Sequence, residues 1–171
     1  MSTDGNDQDK APVRTIAADS EPYGVVYLAG SVNGWYLGTG VSNSEPGVLM
    51  AMSPEIIGKL TGLNNSAYWW QVETQEGSPL IKAVKSVKYG TYLTVFKRGG
   101  DNPWGLKPLD TVPAVNSTFR IGPHPNYPGN IFYHGTSLTW QLYDAVSEGY
   151  GMIALLPGSG GAYPLQIIPR D

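Results

Sequence analysis

The chain has 171 residues, a formal net charge of −3 at pH 7 and no cysteine. This length suits one domain, and the lack of cysteine excludes disulfides, thiolate nucleophiles and cysteine-bound metals. The slight negative charge and the lack of a long Lys/Arg block disfavour nucleic acid as a partner, and no apolar run approaches the roughly 18 residues of a membrane span.

Residues 1–21 are predicted to form a flexible N-terminal tail, because they are polar and contain few apolar side chains. They include no apolar stretch of the kind found in a classical signal peptide, so we expect a cytoplasmic location, with non-classical secretion as the alternative. Residues 22–171 are predicted to form one domain, whose oligomeric state the sequence leaves open.

Short strands are predicted from Tyr23 onward. Runs rich in Val, Ile, Tyr, Trp and Thr alternate with turns rich in Gly, Pro, Asn and Ser, and no segment keeps a helical period for three turns. The 22 glycines and 14 prolines fit many strands joined by turns. The pattern therefore predicts an all-β domain.

One motif recurs along this domain. Three segments share a Gly-x-(Tyr/Ser)-Leu opening, and they begin at Gly34, Gly90 and Gly135. Each opening is preceded by one strand and followed by a compact apolar strand and an apolar–polar–apolar strand. The resulting units of four strands cover about 23–76, 77–124 and 125–171. Because no unit can bury its own apolar face, the three are predicted to pack around a shared axis.

The arrangement resembles the β-trefoil, and the resemblance covers Tyr23 to Pro169. In a β-trefoil, three four-stranded repeats form a barrel with a hairpin cap, and closure removes the exposed strand edges. The fourth strand of each unit carries an aromatic or apolar anchor, and the anchors are Trp70, Phe119 and Leu165. The resemblance implies a protein that acts through the loops between its strands.

Patterns for catalysis and metal binding are missing from the sequence. The histidines are His124 and His134, and neither has a Ser–His–acid or paired-histidine spacing around it. We therefore expect no enzyme activity, no metal and no cofactor.

In the second unit, an apolar-x-Pro turn is followed by Asn116, three residues before Phe119. This segment resembles part of a ricin-B-type lectin, in which an Asp near the second strand and a Gln-x-Trp in the fourth strand hold a sugar. Here the position of the Asp is occupied by Gly38, Thr94 and Thr139, and the chain has no Gln-x-Trp. A sugar at that position would lack the charge-assisted hydrogen bonds of a carboxylate, which weakens the ricin-type interpretation.

A different sugar site is predicted in the loop that precedes Gly105. Asp101 and Asn102 offer a carboxylate and an amide to sugar hydroxyls, and Trp104, expected to be the most exposed tryptophan, offers a flat apolar face. Asn116 completes the candidate set for a lectin that does not use the ricin-type site.

The first unit contains a Leu-Gly pair, a Pro-bearing loop and a Trp-x-Val-Glu segment at Trp70. It resembles the fungal trefoil inhibitors of mushrooms, both the mycocypin-like cysteine-protease inhibitors and their serine-protease counterparts. The resemblance implies inhibition by one preorganised loop. Kunitz-type plant inhibitors are normally disulfide-linked and growth-factor-like trefoils carry dense basic patches, so both are disfavoured.

Two loops of the first unit are candidates for the inhibitory role. Asn33 and Gly34 lie in a hairpin loop that would form a narrow wedge for a cysteine-protease cleft. Asn33 or Asn43, if exposed, would also suit an asparaginyl endopeptidase.

The loop of the second unit is the third candidate. Lys97 or Arg98 would fill the acidic specificity pocket of a trypsin-like protease, whereas Gly99 and Gly100 count against a rigid inhibitory shape. A solvated turn without a partner is the alternative reading of residues 97–104.

These patterns favour a non-enzymatic binding protein that presents its loops to a partner. The leading hypothesis is a fungal peptidase inhibitor of the cysteine or serine class, with a role in defence. The alternative is a carbohydrate-binding lectin, and a trefoil that binds some other protein stays open.

Overall fold

Short antiparallel strands dominate the part of the chain that the structure describes. The structure is a computed structural model that describes residues 10–17, 23–27, 35–39, 47–55, 69–121, 131–146, 149–157 and 165–169. The strands within these ranges are β1 (Thr15–Ala17), β2 (Tyr23–Tyr27), β3 (Trp35–Thr39), β4 (Leu49–Met52), β5 (Trp69–Gln75), β6 (Ser78–Ser86), β7 (Tyr92–Phe96), β8 (Trp104–Asp110), β9 (Phe119–Ile121), β10 (Ile131–Tyr133), β11 (Leu138–Val146), β12 (Tyr150–Pro157) and β13 (Leu165–Pro169). A 3-10 helix, Val115–Ser117, precedes β9. The prediction of a β domain is confirmed.

Six strands form a continuous run that links the first and last strands of the predicted units. Their order is β13–β2–β5–β6–β9–β10. Within the run, Leu165 pairs with Tyr27 and Trp70 pairs with Ser86. Among the strand residues that the structure describes, no pairing joins β10 to β13. Strands β2 and β13, from opposite ends of the domain, are therefore neighbours.

Three hairpins accompany this run: β3–β4, β7–β8 and β11–β12. Gly90 and Gly135, just before β7 and β11, have φ angles of 70° and 76°. This left-handed region costs glycine little and other residues much more, which explains why the recurring motif opens with glycine at these two turns. Strand β12 pairs with both β4 and β8, so the three hairpins meet.

A single apolar core cluster draws at least one buried residue from every strand between β3 and β12. At its centre, the ring of Phe119 meets the ring of Trp140 edge-on, with centroids 5.1 Å apart. Trp70 is 1% exposed, and its indole nitrogen Nε1 donates to the carbonyl of Leu37 at 3.0 Å. Burying a large apolar side chain of this kind contributes about 1.5–3 kcal/mol, so the aromatic anchors Trp70 and Phe119 hold the strands together.

Residues 10–17, here called the N-terminal segment, do not form the flexible tail that the sequence predicts for this part of the chain. Strand β1 pairs with β5, with Ile16 opposite Thr74. Pro12 forms an isolated bridge with Ala114. The polar composition was misleading because main-chain hydrogen bonds do not depend on side-chain polarity.

Candidate functional site

The turn between β7 and β8 has a defined shape. Gly99 and Gly100 have φ angles of 87° and 58°. The main-chain nitrogen and the side-chain nitrogen Nδ2 of Asn102 both donate to the carbonyl of Gly99, at 3.3 and 3.2 Å. The two glycines, read from the sequence as a source of looseness, instead supply the left-handed conformations that this hydrogen-bonded turn needs.

The basic pair of this turn contacts aromatic rings. Lys97 is exposed, with its ammonium nitrogen 5.4 Å from the centre of the Trp104 ring. The guanidinium carbon of Arg98 lies 6.0 Å from the centre of the Tyr143 ring, and its nitrogen Nη1 is buried without a hydrogen-bond partner among the described residues. Each cation–π contact contributes about 0.5–1 kcal/mol at an exposed site. Of the two side chains, Lys97 is exposed and Arg98 is partly buried.

Trp104 is less exposed than the sequence predicts. It is partly buried and packs against the core cluster, because β8 begins at Trp104 and pairs with β12 at Leu155. Asp101 and Asn102 are exposed beside it. A sugar that stacked on Trp104 would therefore have to use the part of the ring that the core and Lys97 leave uncovered.

The predicted sugar-binding residues lie in two places. Asp101, Asn102 and Trp104 lie at the start of β8, whereas Asn116 lies beyond its other end. A seven-residue strand spans about 20 Å at about 3.3 Å per residue. Asn116 therefore cannot act with Trp104 on one sugar ring.

Asn116 instead lines a small open cavity at the end of β8. The cavity has a volume of about 210 Å³, and its lining residues are Lys10, Asp110, Thr111, Val112, Ala114 and Asn116. We refer to it as the Asp110 cleft. Its volume is below the roughly 300–1,000 Å³ of pockets for drug-sized ligands, which suits a small ligand or one ring of a larger one.

Hydrogen bonds fix the turn that forms the floor of the Asp110 cleft. The hydroxyl of Ser117 accepts from the nitrogen of Ala114 at 2.9 Å. The nitrogen of Asp110 donates to the hydroxyl of Thr94 at 2.9 Å. These bonds hold the main chain on two sides of the cleft, so a ligand does not need to order it.

The electrostatics of the cleft centre on Asp110. Burial raises the pKa of its carboxyl above the ordinary value of 3.8, while hydrogen bonds from Ser117 and Thr94 and the positive charge of Lys10 oppose part of that rise. The cleft thus combines a carboxylate, an ammonium group and the Asn116 amide. Val112, 64% exposed, adds an apolar surface.

Sequence reasoning found Asn116 but missed Asp110 and Lys10. Asp110 ends an apolar strand and is followed by a Pro-containing turn, which is a weak signal for a ligand group. Nothing in the sequence indicated Lys10, because the residues around it were predicted to be flexible. The inhibitory candidates Asn33, Gly34 and Asn43 lie outside the described residues.

Two further observations concern other kinds of site. Within the described residues, no group of three His, Cys, Asp or Glu side chains is placed to hold a metal ion. The same part of the chain contains no helix with the length and apolar character needed to cross a bilayer.

Three solved structures are similar to this chain over most of its length. The designed 3-fold symmetric protein ThreeFoil is 12% identical with a TM-score of 0.63, covering 86% of this chain and 97% of its own. A cytolethal distending toxin structure from Actinobacillus actinomycetemcomitans is 12% identical with a TM-score of 0.61, covering 88% of both chains. The BEL β-trefoil is 13% identical with a TM-score of 0.56, covering 92% of this chain and all of its own, 100%.

These likenesses, together with the strand order, identify the fold as a β-trefoil. At such low identity they concern the fold alone. No family model matches the sequence, and no curated protein matches it either.

Proposed function

We propose that this chain is a non-enzymatic binding protein whose Asp110 cleft holds one ring of a neutral saccharide. The observation that carries the proposal is the meeting of Asp110, Lys10 and Asn116 around one cavity of about 210 Å³. A β-trefoil fold is compatible with such a role, and the function has to be argued from the site.

The chemistry of the cleft matches that of a sugar diol. A carboxylate only accepts hydrogen bonds, an ammonium group only donates them, and an amide does both. Neighbouring sugar hydroxyls can donate to Asp110 and accept from Lys10, while Asn116 serves a third polar atom. The apolar side of the ring would face Val112. The opposite charges of Asp110 and Lys10 leave no net charge to attract an ionic ligand, which favours a neutral sugar.

The proposal includes the threefold architecture that the sequence predicts. In that arrangement three four-stranded units pack around one axis, and a β10–β13 pairing would close the six-strand run into a barrel. The contacts of β12 with β4 and β8 support it, as does the contribution of every strand from β3 to β12 to one core.

The test is a glycan array followed by titration of the best neutral sugar. Hydrogen bonds to charged groups contribute about 1.5–3 kcal/mol, so Asp110→Asn is expected to weaken binding about tenfold or more. Asn116→Ala should also weaken it. Asp101→Asn, an exposed carboxylate on the β7–β8 turn, is the matched control and should bind as the unmodified chain does. A blank array, or equal binding by all three variants, contradicts the proposal.

Inhibition of a trypsin-like peptidase is the second candidate, favoured by the exposure of Lys97 on a hydrogen-bonded turn. Incubation with trypsin-like, papain-like and legumain-like peptidases tests it. Stoichiometric loss of trypsin activity that disappears in Lys97→Ala and persists in Lys107→Ala would support this role. Full activity of every peptidase would remove it.

A further inference from the structure

The N-terminal segment is bound to the same stretch of chain that lines the Asp110 cleft. The nitrogen of Val13 donates to the carbonyl of Pro113 at 2.9 Å, and the nitrogen of Val115 donates to the carbonyl of Ala11 at 3.1 Å. These bonds cross the turn between β8 and the 3-10 helix. One wall of the cleft is therefore made by a segment that lies outside the trefoil strands.

Glu73 anchors the other end of the segment. The hydroxyl of Thr15 donates to one oxygen of its carboxylate at 2.6 Å, and the hydroxyl of Tyr92 donates to the other at 2.7 Å. Ile16, which follows Thr15 in the segment, is 59% exposed. The segment is thus held mainly by hydrogen bonds with little apolar burial, as expected of an element that opens locally at low cost.

Lys10 is the residue that the docked segment brings to the cleft. It lines the cavity together with Asp110, and its positive charge acts on the Asp110 carboxyl. A sugar hydroxyl can accept a hydrogen bond from an ammonium group and donate one to a carboxylate at the same time. One sugar hydroxyl can therefore bridge Lys10 of the N-terminal segment and Asp110 of β8.

We infer that occupation of the Asp110 cleft and docking of the N-terminal segment stabilise each other, with the contact between Lys10 and the saccharide as the link. This inference rests on the proposed saccharide-binding function. Coupling between two binding events is reciprocal: a sugar that binds only the docked form slows the opening of the segment, and a change that undocks the segment weakens sugar binding.

Amide hydrogen exchange of the full chain measures the first half of this coupling. Methyl β-galactoside, methyl α-mannoside and N-acetylglucosamine are titrated separately. At ten times the dissociation constant of a sugar that binds, exchange of the Val13 amide should slow about tenfold. The Thr136 amide, which donates to the Tyr133 carbonyl at 2.9 Å in a turn of the third unit, is the internal control and should not change.

Three variants measure the second half. Lys10→Gln removes the ammonium group from an exposed position and should weaken sugar binding at least about fivefold, without changing exchange of the Val13 amide in the absence of sugar. Val13→Pro removes the donor to Pro113 and should undock the segment and weaken binding by a similar factor. Val13→Ala keeps the donor and is the matched control.

The outcomes separate this inference from the function on which it rests. Failure of the unmodified chain to bind any of the three sugars overturns both. Sugar binding that Asp110→Asn abolishes but Lys10→Gln leaves unchanged overturns this inference and keeps the saccharide site. Weak binding by Lys10→Gln and Val13→Pro, with normal binding by Val13→Ala and slowed exchange at Val13, supports it.

Discussion

Among single residues, Asp110 faces opposite requirements from folding and from the proposed binding. Burial raises the pKa of its carboxyl in the folded chain above the ordinary value of 3.8. The neutral carboxyl therefore favours folding. Its contribution to the free energy of unfolding is complete below the pKa that Asp110 has in the unfolded chain, and it is lost as pH rises through the higher pKa of the folded chain. Ionisation of Asp110 as pH rises therefore costs stability, whereas the ionised carboxylate is the form proposed to accept hydrogen bonds from a sugar.

Asp110→Asn is accordingly expected to raise the free energy of unfolding at pH 7, by no more than about 1 kcal/mol because solvent screens this partly exposed group. At pH 3, below the ordinary pKa of 3.8, the gain should shrink towards zero because the carboxyl is largely protonated in both states. Thermal unfolding followed by circular dichroism at the two pH values measures the difference.

The control for that prediction is Asp101→Asn, which changes the same chemical group at an exposed position. It should leave stability within about 0.5 kcal/mol at both pH values. A stability gain for Asp110→Asn that is equal at pH 3 and pH 7 would show that its carboxyl does not carry the cost assigned to it.

The residues of the candidate site were only partly predictable. Asn116 was found because it lies three residues before Phe119, in a segment that resembles part of a ricin-B-type lectin. Lys10 could not be found, because it reaches the cleft through main-chain pairing of a polar segment, which leaves no periodicity in the sequence. The partial burial of Trp104 could not be read from the sequence, since its pairing with β12 joins distant parts of the chain.

At the level of elements, the β7–β8 turn depends on its two glycines. Gly100 has a φ angle of 58°, and a Cβ added there would meet nothing within 4 Å. Gly100→Ala should therefore lower the free energy of unfolding by about 1–2 kcal/mol through backbone strain alone. Gly100→Asn should lower it less, because asparagine tolerates the left-handed region better.

Urea unfolding of the two variants beside the unmodified chain tests this expectation. Equal midpoints for alanine and asparagine would mean that the backbone of residue 100 does not keep its left-handed conformation in solution. The hairpin itself was predictable from the alternation of apolar residues around a Gly-rich loop. The cation–π contacts of Lys97 and Arg98 were not, because their partner rings lie in other strands.

For the whole molecule, the recurrence of Gly-x-x-Leu and of the anchors Trp70 and Phe119 was enough to predict the β-trefoil. The order of strands depends on pairings between distant parts of the chain, such as β2 with β13, and no single segment encodes it. The pairing of the N-terminal segment was not predicted, because none of its residues belongs to the core cluster and its sequence therefore shows no apolar pattern.

A shared core makes unfolding a property of the whole chain. Leu93 is 1% exposed in the core cluster, and Leu93→Ala should lower the free energy of unfolding by about 2–5 kcal/mol.

Hydrogen exchange tests whether the loss is felt throughout the chain. In Leu93→Ala, exchange of the main-chain amide of the buried Trp140 in β11 should accelerate by the same factor as that of Thr94 in β7, because both need global unfolding. Leu109→Ala, at a 46% exposed position of β8, is the control and should change stability by less than about 0.5 kcal/mol. Acceleration confined to β7 would mean that the units unfold separately.

The pairing of Tyr23–Tyr27 with Leu165–Pro169 has a consequence for synthesis of the protein. One edge of the earlier strand has no partner until the later strand, roughly 140 residues further along the chain, has left the ribosome, a delay on the order of 10 s at about 5–20 residues per second. During that delay the open edge is available to any extended chain, including a neighbouring nascent copy. The arrival of Leu165–Pro169 thus closes an edge that would otherwise be open to aggregation.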